Sequence, residues 1–381
     1  MMPYLKAACG FVCFLLLASN VWSMSHWSES RGVYDDICYL RQAHLFQRFG
    51  LNGLDTDISR DDDHYLATKL KQINYDSPND PAAAPCHTLM PATGKRVLQY
   101  PSGTGFMLAL FPEGFQVIPL YVSATVIVFG LALLAIFCAR SVSSIALTAG
   151  FGCLAIYLMI NPAKASYSMA PTMAACALAG LLTVGFFAAG QPRRRLILAA
   201  LTGLIIGLSV NFRLPNLLLA SGYFLFFGVS FLFFRTIAIV LQGGLFAALY
   251  LVGIMPTLVA NAINAGSPFS TTYGGVDVTP PDFSLHVLWQ YVADTQFVLL
   301  LLAGVWTIVI WRSGLVAMRG VAAVTAGNLF VNLAFFLSHP IVTPYYTIPV
   351  AMLSLWTLLF ASLIEPTEAV DGTRIGQAAS A

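Results

Sequence analysis

Residues 116–138 read QVIPLYVSATVIVFGLALLAIFC, an apolar stretch without Asp, Glu, Lys or Arg. A helix of this length crosses a hydrocarbon layer of about 30 Å, because each helical residue adds about 1.5 Å. Similar stretches recur along the 381-residue chain, in which 58% of the residues are hydrophobic and 9% are charged. An ordinary soluble domain has roughly a quarter of its residues charged. The sequence therefore predicts an all-α, polytopic integral membrane protein and excludes a soluble α/β domain.

Ten stretches of this kind predict about ten transmembrane helices. They cover approximately residues 7–24, 116–138, 142–160, 168–190, 196–212, 214–234, 236–260, 295–311, 320–338 and 346–364. The net charge is +2, and the basic residues are dispersed at the ends of the predicted spans rather than gathered in a patch. The partner that this pattern predicts is a membrane and not a nucleic acid.

The basic residues beside the spans orient the chain. If the N-terminus with Lys6 is cytoplasmic, the short connections on the other side contain only Lys164 and Arg213. The cytoplasmic connections then contain Arg140, Arg193, Arg194, Arg195, Arg235, Arg312 and Arg319. The positive-inside rule therefore predicts that both termini are cytoplasmic. An alternative is that residues 1–23 are a cleaved signal peptide, which also leaves the next segment outside.

Four regions follow from this topology. Residues 1–24 form the first transmembrane helix, 25–112 an extracytoplasmic loop, 113–364 the transmembrane bundle, and 365–381 a disordered cytoplasmic tail. Residues 25–100 contain ten of the seventeen acids and four of the six histidines, so most of the water-soluble chemistry belongs to the loop.

The loop itself is predicted to contain amphipathic helices. Apolar residues recur at helical spacing after Val33, which predicts an amphipathic helix near the membrane surface that ends close to Gly50. A turn-rich acidic segment precedes a short helix at about 64–73, and the proline-rich stretch 77–94 predicts irregular structure. The apolar residues 106–112 are too few to span a membrane.

Asp35 and Asp36 lie at the start of the first amphipathic helix. Neighbouring side chains on a helix point in different directions, so one carboxylate can face a cavity while the other caps the helix N-terminus. A carboxylate in a cavity is a candidate general base. The alternative is that both carboxylates cap a solvated loop and carry no chemistry.

Two further groups in the loop leave alternatives open. Asp55, Asp57 and Asp61 to Asp63 contain oxygen ligands for a divalent cation, but Arg60 and Leu66 replace the Gly and Glu of a calcium-binding EF-hand. A solvated acidic loop is favoured, and we assign no cofactor or metal ligand. Cys38 and Cys86 are the only cysteines in the predicted loop, where oxidising conditions allow a disulfide or two free thiols.

Lys164 and Arg213 lie at predicted outer helix ends, against the general orientation of positive charge. An anionic ligand such as a lipid phosphate is one reason for cations at these positions. The other is that both side chains extend to the lipid headgroups.

The layout of these residues resembles the GT-C type glycosyltransferases, which include the protein O-mannosyltransferase and aminoarabinose transferase families. Members have a cytoplasmic N-terminus, one span and a long outer loop that opens with an acidic pair and a Tyr, as in Asp35-Asp36-Ile37-Cys38-Tyr39. The segment Tyr100-Pro101-Ser102-Gly103-Thr104 is similar to their Tyr-Pro-Pro-Gly-Thr-like motif. Arg213 before Asn216, and Tyr345 with Tyr346, are similar to residues near the lipid-phosphate donor. The second acid departs from the pattern, in which Glu is commoner.

The resemblance covers roughly residues 1–350 and implies an inverting hexosyl- or pentosyltransferase of the bacterial inner membrane that builds cell-envelope glycans. The sugar would pass from a polyprenyl-phosphate donor to a glycan, lipid or protein acceptor on the outer face. Asp35, with Asp36 beside it, would be the catalytic base. The donor phosphate would be bound by Lys164, Arg213, Tyr345 and Tyr346, and the rest of the substrates by Tyr39, Tyr100, Gly103, Thr104 and His339.

Two other hypotheses compete with this one. A lipid or solute transporter, including a flippase, is suggested by the number of spans alone. Ion-coupled transporters need ionisable groups inside the membrane, however, and the span interiors contain almost none. The third hypothesis is a non-catalytic membrane scaffold whose outer loop binds a partner.

Overall fold

The protein is mainly helical in the part of the chain that the computed structural model describes, which is residues 2–29, 34–160, 166–273, 280–294, 296–313, 315–339 and 346–364. Its α-helices, in chain order, are α1 (Met2–Met24), α2 (Tyr34–Phe49), α3 (Tyr65–Gln72), α4 (Gly103–Ala109), α5 (Val117–Cys138), α6 (Val142–Leu158), α7 (Met169–Ala188), α8 (Pro192–Val210), α9 (Ser221–Phe234), α10 (Ile237–Ala265), α11 (Leu285–Val292), α12 (Phe297–Arg312), α13 (Val316–Phe336) and α14 (Ile348–Ala361). The two short strands β1 (His87–Leu89) and β2 (Arg96–Leu98) pair antiparallel. The all-α prediction is confirmed.

Ten helical segments occupy the positions of the ten predicted spans. Among the described residues, six of them are long and apolar enough to cross a membrane, or seven if the sharply bent pair α11 and α12 is one broken span. The six are α1, α5, α7, α10, α13 and the segment Leu214–Phe234, which joins a 3-10 helix to α9. The protein is therefore a multi-pass membrane protein. The helices α6 and α14 are apolar but contain only 17 and 14 residues.

Glycines bring α8 and α10 into close contact. A Cβ atom at Gly203 or Gly207 would overlap the carbonyl oxygen of Phe246 or Tyr250, and one at Gly253 would lie 2.7 Å from the Leu208 nitrogen. Small residues spaced four apart let membrane helices approach through their backbones, where dispersion contacts replace the hydrophobic effect. This pair forms a rigid support for the loop that follows α8.

The C-terminal end of α10 extends into the polar domain, which we define as residues 34–112. With 29 residues, α10 is about 44 Å long and exceeds the hydrocarbon thickness by about 14 Å. Near its end, the Asn264 side chain accepts a hydrogen bond from the Thr56 N–H (2.9 Å) and donates one to the Leu54 carbonyl (2.8 Å). The polar domain is thus held directly on the bundle.

The helix α2 is the centre of the polar domain. It ends before Gly50, and α3 forms where a short helix was predicted. The expected exposed face of α2 is absent, because residues 36–43 are all buried. A disulfide joins Cys38 of α2 to Cys86, immediately before β1. The prediction of irregular structure over 77–94 is wrong at β1, which pairs with β2 across a turn at Gly94.

Buried polar contacts organise the loop around Arg41 of α2. Its guanidinium donates to the carbonyl oxygens of Thr56 (3.0 Å) and Asp57 (2.9 Å) and lies 3.5 Å from the Asp61 carboxylate. Burial lowers the pKa of Arg41 to about 10 although the Asp61 charge opposes the shift, so the side chain stays cationic at neutral pH. Arg41 also lies 3.2 Å from His87 Nε2, which must accept this hydrogen bond while Nδ1–H donates to the Pro85 carbonyl.

Acid is expected to destabilise the polar domain through His87. Burial, and then the charge of Arg41, lowers the pKa of His87 from 6.5 to about 3, so the folded protein binds this proton less readily than the unfolded chain. The contribution of His87 to stability is full above about pH 6.5 and falls toward pH 3 by up to about 1.4 kcal/mol per pH unit. We expect His87→Gln, which still accepts from Arg41, to flatten the fall of the thermal midpoint between pH 7 and pH 4.

The exposed His64 is a matched control for this measurement. His64→Gln should leave the pH dependence of the thermal midpoint as in the wild type. If the thermal midpoint of the His87→Gln protein fell between pH 7 and pH 4 as steeply as that of the wild type, His87 would not be the source of the acid sensitivity.

Candidate functional site

A cleft lies where the polar domain meets the ends of several bundle helices. Six separate parts of the chain contribute to its wall. The lining residues are Asp35, Tyr39, Tyr100, Ser166, Ser168, Arg213, Pro215, Tyr273 and Tyr346. Five of these, Asp35, Tyr39, Tyr100, Arg213 and Tyr346, are residues that the sequence singled out.

The acidic side of the cleft is built on the first turns of α2. Asp35 and Tyr39 are four residues apart and therefore lie on one face of the helix. The Tyr100 hydroxyl donates to Asp35 Oδ1 at 2.6 Å, and its ring stacks on Tyr39 with a centroid distance of 5.0 Å. Burial, followed by the negative charge of Asp35, raises the pKa of Tyr100 far above its ordinary value. Tyr100 therefore keeps its proton and orients the carboxylate.

Asp36 points away from this cleft. Its side chain is 1% exposed, and Oδ1 accepts a hydrogen bond from the Tyr167 backbone N–H at 3.3 Å. The Tyr167 hydroxyl in turn donates to the Glu29 carbonyl. One carboxylate of the acidic pair thus lies in the cavity, as one of the two interpretations expected, while Asp36 binds the segment before α7.

The basic side of the cleft is Arg213, in the short loop after α8. The side chain is only 6% exposed, and Nη1 lies 2.8 Å from the sulfur of Met169. The guanidinium carbon lies 5.1 Å from the ring centroid of Tyr346, which is within the range of a cation–π interaction. A buried positive charge therefore faces the same space as the Asp35 carboxylate.

The loop that carries Arg213 is anchored by Asn211. Pro256 inside α10 lacks an N–H, and its ring disturbs the helical hydrogen bonds of the preceding turn. The Asn211 amide satisfies the backbone groups on both sides of this break, because it donates to the Gly253 carbonyl (2.7 Å) and accepts from the Thr257 N–H (2.9 Å). The Arg213 backbone is thus held by a polar joint between α8 and α10.

Gly103 and Thr104 connect the two sides of the site instead of lining the cleft. The Gly103 N–H donates to the Asn211 carbonyl at 2.8 Å, and the Thr104 hydroxyl lies 3.4 Å from the Phe212 carbonyl. Thr104 is completely buried. These contacts hold the segment after Tyr100 against the segment before Arg213, and the role of both residues in substrate binding stays a prediction.

A side chain at position 103 is expected to disturb this joint. The Cβ of an alanine would lie 2.7 Å from both the Cβ and the carbonyl oxygen of Asn211. Overpacking of this kind costs about 1–3 kcal/mol, so Gly103→Ala should lower the thermal midpoint of the purified protein. Gly130 of α5 is the matched control, since a Cβ there meets nothing within 4 Å. A midpoint in Gly103→Ala equal to that of Gly130→Ala would contradict the expected clash.

Four lining residues were not predicted from the sequence. The Ser166 and Ser168 hydroxyls lie 2.6 Å apart just before α7, and Pro215 follows Arg213. The Tyr273 ring contacts Tyr100 edge to face at 6.1 Å, and burial raises the pKa of its hydroxyl well above the ordinary value. Tyr273 begins a Tyr-Gly-Gly sequence, and nothing in that sequence indicates proximity to α2.

The remaining predicted residues lie elsewhere. His339, at the end of α13, stacks on Phe335 and is bonded to the Phe335 carbonyl, outside the cleft. Lys164 and Tyr345 fall outside the described residues.

The acidic segment between α2 and α3 is occupied by ion pairs. Four of its carboxylates lie within 3.5 Å of a basic side chain, in the pairs Asp55–Lys95, Asp61–Arg41, Asp62–Arg48 and Asp63–His44. In the described ranges, no group of three His, Cys, Asp or Glu residues is arranged to hold a metal ion. These pairs explain the density of Asp in this segment as a feature of the fold.

The cleft therefore combines a carboxylate with a protonated hydroxyl donor, a buried guanidinium and four tyrosine rings. Such a set can accept a proton at one side and stabilise negative charge at the other, around a ligand with hydroxyl groups and flat apolar faces. In comparisons with protein-family models, curated proteins and solved structures, the chain matches none of them.

Proposed function

We propose that the protein is a membrane glycosyltransferase that moves a sugar from a polyprenyl-phosphate donor to an acceptor hydroxyl. The observation that carries the proposal is that Asp35 and Arg213 line one cleft at the end of a membrane bundle. The two residues are 178 positions apart in the chain. From the sequence, Asp35 was predicted to be the base that removes the acceptor proton, and Arg213 was predicted to bind the donor phosphate.

The chemistry proposed for the cleft is a single displacement. The acceptor oxygen forms a bond to the anomeric carbon while the bond from that carbon to the phosphate oxygen breaks, which inverts the configuration. The acceptor proton passes to Asp35, and Arg213 stabilises the negative charge that remains on the polyprenyl phosphate. The displacement needs neither an oxidant nor a cofactor.

The tyrosines suit a sugar as the transferred group. Tyr39 and Tyr100 stack on each other, while Tyr273 and Tyr346 bring two further rings to the wall. Aromatic faces bury the C–H surfaces of a pyranose, and hydroxyl groups such as those of Ser166 and Ser168 exchange hydrogen bonds with its oxygens.

The position of the cleft suits a lipid-linked donor. A polyprenyl chain stays in the hydrocarbon layer, while its phosphate and sugar lie at the boundary with water. The proposal places this boundary on the outer face of a bacterial inner membrane, with both termini in the cytoplasm, in accord with the distribution of basic residues.

A reconstituted assay tests the proposal directly. Proteoliposomes with the wild-type protein would be given a panel of polyprenyl-phosphate hexoses and pentoses labelled in the sugar, together with extracted envelope lipids and glycans as acceptors. We expect labelled product of inverted configuration and an equal amount of released polyprenyl phosphate for at least one donor. Movement of labelled lipid or solute across the membrane without release of polyprenyl phosphate would favour a transporter and contradict the proposal.

A further inference from the structure

A second cleft lies between the end of α1 and the start of α5. It has a volume of about 180 Å³, and its wall includes Trp27, Glu29, Phe115 and Gln116. None of its lining residues lines the cleft that contains Asp35. The transfer reaction proposed above uses none of them.

Gln116 is the unusual residue of this second cleft. Its side chain is 1% exposed, yet neither Oε1 nor Nε2 has a hydrogen-bond partner within the described residues. Buried side-chain amides are nearly always hydrogen-bonded, because an amide without a partner loses its hydrogen bonds to water and gains none in return. Gln116 therefore keeps an acceptor oxygen and a donor NH₂ available at a wall of the cleft.

Glu29 adds a second free acceptor beside it. Its Oε1 accepts a hydrogen bond from the Gln116 backbone N–H at 2.7 Å, which fixes the carboxylate against the start of α5. Its Oε2 is buried and accepts no hydrogen bond from the described residues, and Lys69 Nζ lies 3.9 Å from it. The pair thus offers two acceptor oxygens and one donor group in a fixed arrangement.

The chemistry of this set favours hydroxyl groups over an ammonium group. An ammonium would bind the two oxygens but would leave the Gln116 NH₂ unmet, and it would compete with Lys69 for Glu29. Hydroxyl groups both donate and accept, so two neighbouring hydroxyls can satisfy all three groups. Trp27 and Phe115 supply aromatic faces for the carbon skeleton of such a ligand.

The surroundings point to a lipid as the source of these hydroxyls. The cleft lies between the ends of two helices with the length and composition of membrane spans. Beside it, Phe115 is 53% exposed, and Trp22, in the last turns of α1, is 71% exposed. Exposed aromatic side chains at helix ends are typical of the boundary between hydrocarbon and headgroups.

We propose that this cleft binds the hydroxyl-bearing head group, a glycerol or a sugar, of a membrane lipid. Glu29 and Gln116 recognise the hydroxyls, and the aromatic residues cover the carbon atoms. The inference is independent of the proposed transfer activity.

Lipid retention provides the test. The full-length protein would be placed in phosphatidylcholine nanodiscs doped with equal amounts of phosphatidylglycerol and phosphatidylethanolamine, and co-retained lipid measured by native mass spectrometry. We expect preferential retention of phosphatidylglycerol, reduced about tenfold in Gln116→Leu because its hydrogen bonds are lost. Leucine preserves the volume and leaves no buried polar group. Gln191→Leu, at the exposed residue before α8, is the control and should retain lipid as the wild type does.

Three results would overturn the inference. One is equal phosphatidylglycerol retention by the wild type and by both Gln116→Leu and Glu29→Gln. Another is a preference for phosphatidylethanolamine, which would identify an ammonium ligand. The third is displacement of the lipid by an equal concentration of free glycerol, which would assign the cleft to a soluble polyol.

Discussion

Asp35→Asn is expected to lower sugar transfer by about 10²- to 10⁴-fold, the usual contribution of a positioned general base. The amide has the shape of the carboxylate, and its oxygen still accepts the hydrogen bond that Tyr100 donates at 2.6 Å. It cannot accept the proton of the acceptor hydroxyl. The loss should therefore appear in kcat, with little change in the KM for the donor, when initial rates are measured in proteoliposomes.

An exposed acid of the same domain is the matched control for Asp35. Asp62 lies 2.6 Å from Arg48 at the surface of the polar domain, away from the cleft, and Asp62→Asn should keep wild-type turnover. Both variants should show the wild-type thermal midpoint. Full activity in a folded Asp35→Asn protein would remove Asp35 from the reaction and with it the proposed mechanism.

Arg213→Gln is expected to lower turnover by about 10²- to 10³-fold, as for the removal of one charge-stabilising group from an active site. The same change should weaken product inhibition by polyprenyl phosphate, because the guanidinium is proposed to bind the phosphate before and after transfer. Arg213→Lys retains the charge but not the planar, forked set of donors, so we expect intermediate values for both quantities. Turnover and the inhibition constant would be measured together.

Arg195 is the control for the arginine variants. It lies in the first turn of α8, at the opposite end of that helix from Arg213, and its Nε donates to the Ala189 carbonyl. Arg195→Gln should change neither quantity. An unchanged inhibition constant in Arg213→Gln would show that the phosphate binds elsewhere, even if turnover had fallen.

Local patterns in the sequence were sufficient for the outline of the fold and for part of the cleft. Long apolar runs predict helices wherever they occur, and the ten predicted positions are helical. The four-residue spacing of Asp35 and Tyr39 predicts a shared helical face. The cation at Arg213 could be singled out because it opposes the charge bias of the connections, which is a property of one position and needs no tertiary structure.

The rest of the cleft depends on contacts between distant parts of the chain. Ser166 and Tyr273 carry no local signal of catalysis, and only the packed bundle brings them to α2. Gly103 and Thr104 form a recognisable motif, but a motif does not distinguish a residue that touches a ligand from one that touches a carbonyl. The Asn211 carbonyl that Gly103 contacts is 108 positions away in the chain, so this contact has no local signal in the sequence.

The surface of α2 was mispredicted for a related reason. Apolar residues at helical spacing, with polar residues between them, normally indicate that one face of a helix meets water. Here the polar residue Arg41 is buried and bonded to carbonyl oxygens of the loop that follows, and Cys38 is joined to the segment before β1. A polar side chain with buried partners has the same sequence pattern as a solvated one.

The helix α14 has a consequence for the biosynthesis of the protein. All 14 of its residues are buried, and it packs against α7, α12 and α13. Its length of about 21 Å is less than the hydrocarbon thickness, so protein neighbours must surround it in place of lipid. Translation produces those neighbours first. Among the described helices, α14 is therefore the last to be synthesised, and the packing of α7, α12 and α13 around it is completed only when it has entered the membrane.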